Sequence, residues 1–293
     1  MTGPSAAETR DRLQGLGPGI LAASSFAITD VLSRLVFLAG ADVLTLSTIR
    51  GLAGLVFMIA WLRVTPSPVP HTPRARWIAL GMGVLFAGLV FGIFKAIEIV
   101  EVPIAILTYF VYPLFTGIFA ALLRLERLSW RGATAALVAF LGLTLTVGAH
   151  PGKLALAGLA FAVGAACCRT AVLLITRAAL RDSDPRLTTW YTLVSSTAIF
   201  VAASLLTWTW NAPQTTIGWL ALIGVTITTT VATLALFIST NRIGPFRSAL
   251  IMNLEPLLAT ILSALFLGEV ITPIQALGGA IMLAALVAFQ LRR

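Results

Sequence analysis

Charged side chains are scarce in this sequence. Only 11% of its 293 residues are Asp, Glu, Lys or Arg, where a soluble domain carries about 25%. Acidic residues are rarer still, 11 against 20 basic ones. There are two histidines, His71 and His150, and two cysteines, Cys167 and Cys168, which are neighbours inside an apolar run. Adjacent cysteines exclude a disulfide framework, and two histidines in separate loops make no metal or catalytic pair. The run Gly148-Ala149-His150-Pro151-Gly152-Lys153 fails the spacing of a phosphate loop and has no Ser or Thr after its lysine. Nothing resembles a nucleophile elbow or a metal-binding helix, so neither cofactor nor metal is expected.

What the chain has in abundance is apolar surface. Hydrophobic residues make up 58% and mean hydropathy is +0.97. No soluble fold of this size hides so much, so the excess is expected to face lipid. Apolar runs fall at about 17–38, 43–63, 77–97, 102–124, 130–148, 154–176, 187–207, 216–239, 246–267 and 272–291. The breakers between them include Pro66-Ser67-Pro68-Val69-Pro70 and Asn211-Ala212-Pro213. Spans 3–4 and 8–9 are the least clearly separated. The polar stretch 1–16 precedes a long run containing Asp30 and Arg34, which reads as a retained first span rather than a cleaved signal.

The net charge of +9 does not point to nucleic acid, because the basic residues lie between the apolar runs. With the N-terminus placed inside, fifteen of them fall on the inner side and only Lys153 outside. That asymmetry predicts an even number of spans with both termini cytoplasmic.

The chain also repeats itself. Pro113 and Pro256, Glu126 and Glu269, and Phe94 and Phe237 are each 143 residues apart. Across residues 103–128 and 246–271, seven of 26 positions are identical at that offset: Leu107, Pro113, Leu114, Ile118, Ala121, Leu122 and Glu126. The expected fold is an all-α polytopic membrane protein of ten helices. Two five-helix repeats, residues 1–150 and 151–293, would surround a central cavity. Five spans is an odd number, so the second repeat would be inverted, as in many transporters.

Candidate site residues follow from what is costly in lipid. Pro113 and Pro256 remove a backbone donor at the middle of spans 4 and 9, leaving the carbonyls of Tyr109 and Met252 without a helical partner. Each is a hinge or a static kink. Tyr112 and Glu255 occupy equivalent repeat positions, as do Phe110 and Asn253. A carboxylate at membrane depth needs a partner, water or a proton. Glu255 therefore fits either a cavity receiving a substrate ammonium or coupling proton, or a structural ion pair. Arg169, at the centre of span 6, fits a cavity or a buried pair. Lys95 shares a face with Glu98, and either meets substrate or snorkels. Asp30 and Arg34, four apart, are expected to pair with each other, and Arg50 to be structural. Tyr109 and Tyr112 share a face and can stack on a planar side chain. Gly88 and Gly92 form a small-xxx-small pair that either slides or simply packs tightly.

Leu46-Ser47-Thr48-Ile49-Arg50-Gly51-Leu52-Ala53, and the run from Ala105 through Pro113-Leu114 to Glu126-Arg127-Leu128-Ser129, resemble motifs of the drug/metabolite transporter superfamily. The repeat copy runs from Glu255-Pro256-Leu257 to Gly268-Glu269. The resemblance is to the EamA branch of bacterial transporters, and within it to the YddG-like amino-acid exporters. It implies a secondary transporter in a bacterial cell inner membrane, exporting aromatic and other neutral amino acids and related amphipathic metabolites by alternating access. It implies no enzyme activity and no partner beyond a small-molecule substrate and the bilayer, with the chain a monomer or weak homodimer. Drugs, nucleotide sugars or other metabolites remain alternative cargoes. A lipid-modifying membrane enzyme is a further alternative, although no His/Asp/Ser cluster supports it.

Overall fold

The computed structural model describes residues 6–66, 71–99, 105, 108–126, 130–147, 155–267 and 272–291. Every extended element among them is an α-helix. They are α1 (Ala6–Leu38), α2 (Val43–Val64), α3 (Pro73–Ile99), α4 (Tyr112–Leu122), α5 (Trp130–Val147), α6 (Leu156–Ala179), α7 (Pro185–Thr207), α8 (Thr216–Ile243), α9 (Pro245–Ile251), α10 (Leu254–Leu267) and α11 (Pro273–Leu291). The apolar runs become helices because lipid offers a peptide group no hydrogen bond, and a helix satisfies its own. Seven stretches among the described residues are long and apolar enough to cross a membrane. Shorter apolar helices lie at Tyr112–Leu122, Gly132–Leu145 and Ala276–Ala285. The protein is thus an all-α polytopic membrane protein.

Short polar signals set the ends. Asp42 caps α2 by accepting from the Thr45 N–H, Asp184 caps α7 through the Arg186 N–H, and Thr215 caps α8 through the Gly218 N–H. Pro73, Pro185, Pro245 and Pro273 each open a helix, where a missing N–H costs nothing. Spans 8 and 9, hard to separate in the sequence, part at Gly244. Its φ of +92° disfavours any side chain.

Two expected continuous spans are broken instead. Residues 110–111 form a turn before α4, and Met252-Asn253 a turn between α9 and α10. Both breaks come just before a proline, because the ring clashes with the preceding turn. The Met252 carbonyl, expected to lack a partner, accepts from the Glu255 N–H at 2.9 Å. A tightened turn has replaced the missing helical bond.

The largest helix contacts run between α1–α5 and α6–α11. Helix α1 lies along α8, α3 against α6 and α7, α2 against α7, and α5 against α11. The broken elements α4 and α9 also meet. Buried hydroxyls are frequent along α8, and many bond back to the carbonyl four residues earlier: Thr226 to Leu222, Thr230 to Thr226, Thr233 to Thr229. Self-satisfied hydroxyls let polar side chains sit deep at little cost. The outer faces are apolar, with Val84, Phe91, Leu137, Leu141, Leu220 and Ile223 exposed. In water so large a patch would aggregate; in hydrocarbon it is solvated.

Candidate functional site

The break before α4 gathers three rings. Tyr109 and Phe110 meet edge-on with centroids 5.3 Å apart, and Tyr112 lies 5.3 Å from Tyr109 and 5.6 Å from Phe110. All three are buried. Unwinding the chain here turns successive side chains to one place, which a regular helix would spread over 100° steps.

Arg169 of α6 points into this group. It is 3% exposed, and its guanidinium carbon lies 5.1 Å from the Phe26 ring centroid and 5.7 Å from that of Tyr112. A desolvated cation over two rings gains about 2 kcal/mol or more at each. The next residue, Thr170, fixes the register by donating to the Tyr112 carbonyl at 3.3 Å, alongside Thr116 at 2.7 Å. The Tyr112 hydroxyl and Arg169 Nε are buried without a hydrogen bond of good geometry, although the two side chains lie close enough to interact electrostatically.

Two carboxylates complete the group. Glu255 of α10 is acted on by Asp30 and Arg169, and Asp30 of α1 by Arg169 and Arg50. Asp30 is exposed and Glu255 half-buried, while Arg169 and Tyr112 are buried. The acids therefore border open space, and the cation and rings stand behind them. Asn253 is buried two residues before Glu255 and donates to the Leu250 carbonyl at 3.1 Å, which holds the break in shape.

Of the residues singled out in the sequence, Tyr109, Tyr112, Glu255, Asn253 and Arg169 come together, with Pro113 and Pro256 just beyond the two breaks. Lys95, half-buried on α3, is not among the charges acting on Asp30, Glu255 or Arg169. Gly92 lies where α3 presses on α6, and a Cβ there would sit 3.0 Å from the Phe161 carbonyl oxygen. Gly88 has looser contact, 3.5 Å from Cys168 Sγ. The side chain of Glu98 and residues Lys153, His150 and Glu269 lie outside the described residues. The sequence paired Asp30 with Arg34 and read Arg50 as a structural ion pair; in the structure Arg169 and Arg50 both act on Asp30. The signal was their depth, since each is an ion inside an apolar run. Arg50 also lines a small polar pocket with Ser47, Ser196, Thr197, Thr229 and Thr230.

Each end of the bundle carries its own polar cluster. At one end, Asp42 accepts from Thr45 N–H and hydroxyl and from the Asn211 N–H at 2.8–2.9 Å, tying the α1–α2 turn to the α7–α8 loop. Burial works to raise this carboxyl, but the hydrogen bonds outweigh it and hold it below its ordinary range. At the other end, His71 stacks on Tyr191 with centroids 5.6 Å apart, and burial lowers its affinity for a proton. Glu126 also lies there, its Oε1 buried without a partner and pressed against Gly244. Burial pushes Glu126 up to about 7 despite the opposing charge of Arg247. No metal-holding group of His, Cys, Asp and Glu occurs among the described residues.

The sequence matches the EamA-like transporter family twice, over residues 14–148 and 156–289. A solved crystal structure superposes with a TM-score of 0.80 at 18% identity, covering 94% of this chain and 99% of that one, a likeness of fold alone. No curated protein sequence matches the chain.

Proposed function

The chain belongs to the EamA-like transporter family of the drug/metabolite transporter superfamily, and from that premise we propose that it exports aromatic and other neutral amino acids by alternating access. The observation that carries this is the mid-depth cluster of Arg169, Asp30, Glu255, Tyr109, Phe110 and Tyr112. A zwitterion with a planar side chain needs a cation for its carboxylate, an acid for its ammonium and rings for its body. The cluster supplies all three, in a setting that is mostly apolar with a few placed ions. It suits the aromatic and neutral amino-acid cargo that the resemblance to the YddG-like exporters implies.

The architecture proposed is two inverted five-helix repeats, residues 1–150 and 151–293. The seven long spans and three short apolar helices together account for ten. Support for the inversion comes from the breaks, since Val111 and Leu254 are equivalent positions at the 143-residue offset and each stands at the edge of one. The excess of basic residues on one side supports both termini on the cytoplasmic face, and the family resemblance supports a bacterial inner membrane. On that orientation the Asp42 cluster closes the outer side and the Glu126 cluster the inner one. Rocking about the breaks before Pro113 and Pro256 would open them in turn.

Efflux of radiolabelled phenylalanine from loaded proteoliposomes tests the reading. Saturable efflux is expected, and repeating the assay with an imposed pH gradient separates proton exchange from uniport. If no amino acid leaves the vesicles saturably, the cargo assignment is wrong.

A further inference from the structure

We propose that the pocket at Arg50, between α2, α3, α7 and α8, is a carboxylate subsite for the transported compound. Ser47, Arg50 and Gly51 lie at i, i+3 and i+4 on α2 and so share one face. Opposite them are Ser196 and Thr197 of α7 and Thr229 and Thr230 of α8. Phe86, Leu193 and Phe200 wall the space with apolar surface.

The hydroxyls divide into two kinds. Thr230 donates to the Thr226 carbonyl at 2.8 Å and Ser196 to the Leu193 carbonyl at 3.3 Å, so their protons are spoken for. Ser47 Oγ and Thr197 Oγ1 have no hydrogen-bond partner, although their residues are only 2% and 3% exposed. An unpaired buried hydroxyl is destabilising, so two of them lining one space with a guanidinium mark a site made to be filled. Arg50 brings a planar fork of N–H donors and the two hydroxyls bring one proton each. Converging donors suit an oxyanion, and the fork suits a carboxylate. Gly51 makes the room, since a Cβ there would sit 2.4 Å from Thr197 Oγ1. Asp30, which acts on Arg50 from α1, joins the pocket electrostatically to the ring cluster. Arg169 and Arg50 both act on Asp30, so a zwitterion can move its carboxylate from Arg169 in the ring cluster to Arg50 while its ammonium stays towards Asp30 and Glu255.

This assignment rests on the amino-acid reading, and three matched probes separate the two. Thermal shift of the purified full chain is read with phenylalanine, 3-phenylpropionate, which lacks the ammonium, and phenethylamine, which lacks the carboxylate. Each is titrated against wild type, Arg50→Gln, Arg50→Lys and the milder pair Ser47→Ala with Thr197→Val. In Arg50→Gln, phenylalanine and phenylpropionate should weaken about thirtyfold or more, while phenethylamine holds within about twofold. Arg50→Lys and the hydroxyl pair should fall between, which also shows that the fold survives. Binding of all three probes weakened alike, or of none, overturns the subsite and leaves the amino-acid reading standing. If none of the probes binds wild type, the amino-acid reading fails and the subsite falls with it. Sodium formate is the last arm. Arg50-dependent stabilisation by formate that does not compete with phenylalanine makes the pocket a free-anion site and overturns the assignment to substrate.

Discussion

Arg169 is held by rings rather than by a single carboxylate. Its guanidinium carbon lies within 6 Å of both Phe26 and Tyr112, while Glu255 and Asp30 act on it from α10 and α1. A flat, delocalised cation suits this sandwich; an ammonium keeps the charge but loses the stacking and the fork. Arg169→Lys is therefore expected to reduce phenylalanine efflux at least tenfold while protein yield and thermal stability stay near wild type. Efflux near the wild-type rate in that variant would show that the ring sandwich does not matter to transport. Glu126 is a different case. Folding raises its proton affinity from 4.5 to about 7, so between those values the folded state holds a proton that the unfolded state releases. Stability then falls as pH rises through this window and stays lower above about 7. Glu126→Gln removes the dependence. The melting temperature of the variant minus that of wild type should grow from about pH 5 to about pH 8, and a constant difference would place the titrating group elsewhere. These residues were unequally legible. Arg169 stood out as an ion where ions are expensive. Asp30 was matched to Arg34 because helical spacing shows only neighbours on the same helix. The charges of Arg50 and Arg169 reach it across helix packing, which periodicity does not encode.

The elements that carry the candidate site are the ones that fail to be regular. Helix α4 and the α9–α10 pair each break within a turn of a proline, and α4 packs against α9. The prolines were readable in the sequence as a hinge or a kink, but the structure breaks both helices outright. The repair was not readable: the Glu255 N–H reaching the Met252 carbonyl depends on the turn that actually forms. Regular elements matter by how closely they approach. At Gly92, helix α3 touches the backbone of α6 at Phe161, and the Ala165 Cβ is 3.2 Å from where a side chain would begin. Gly92→Val forces the helices apart, and about 1–3 kcal/mol of overpacking is expected. A lowered melting temperature is the readout. Gly81, with nothing within 4 Å of a Cβ, is the control, and Gly81→Ala should leave it unchanged. Equal effects at the two glycines would contradict a special role for the α3–α6 contact.

The whole molecule is organised by one contrast. Apolar side chains cover the outside, and ions, hydroxyls and rings collect within, where first-half helices meet second-half helices. The apolar runs foretold that inside-out arrangement, and their limits agree with the seven membrane-crossing stretches to within a few residues. The pairing of α1 with α8 and of α3 with α6 was not foretold, because no residue pattern names a partner helix. Alternating access turns this architecture into a measurable claim about Phe26, which lies beside Arg169 on the inner face of α1. With Cys167 and Cys168 replaced by alanine, Phe26→Cys gives a single thiol at the cluster. The decisive measurement is its reaction with a charged, membrane-impermeant thiol reagent added to one side of sealed vesicles and then to the other. Labelling from both sides, slowed by phenylalanine, is the predicted result. A thiol that reacts from neither side and only with a lipid-soluble reagent would put this face of α1 against acyl chains and contradict the central cavity.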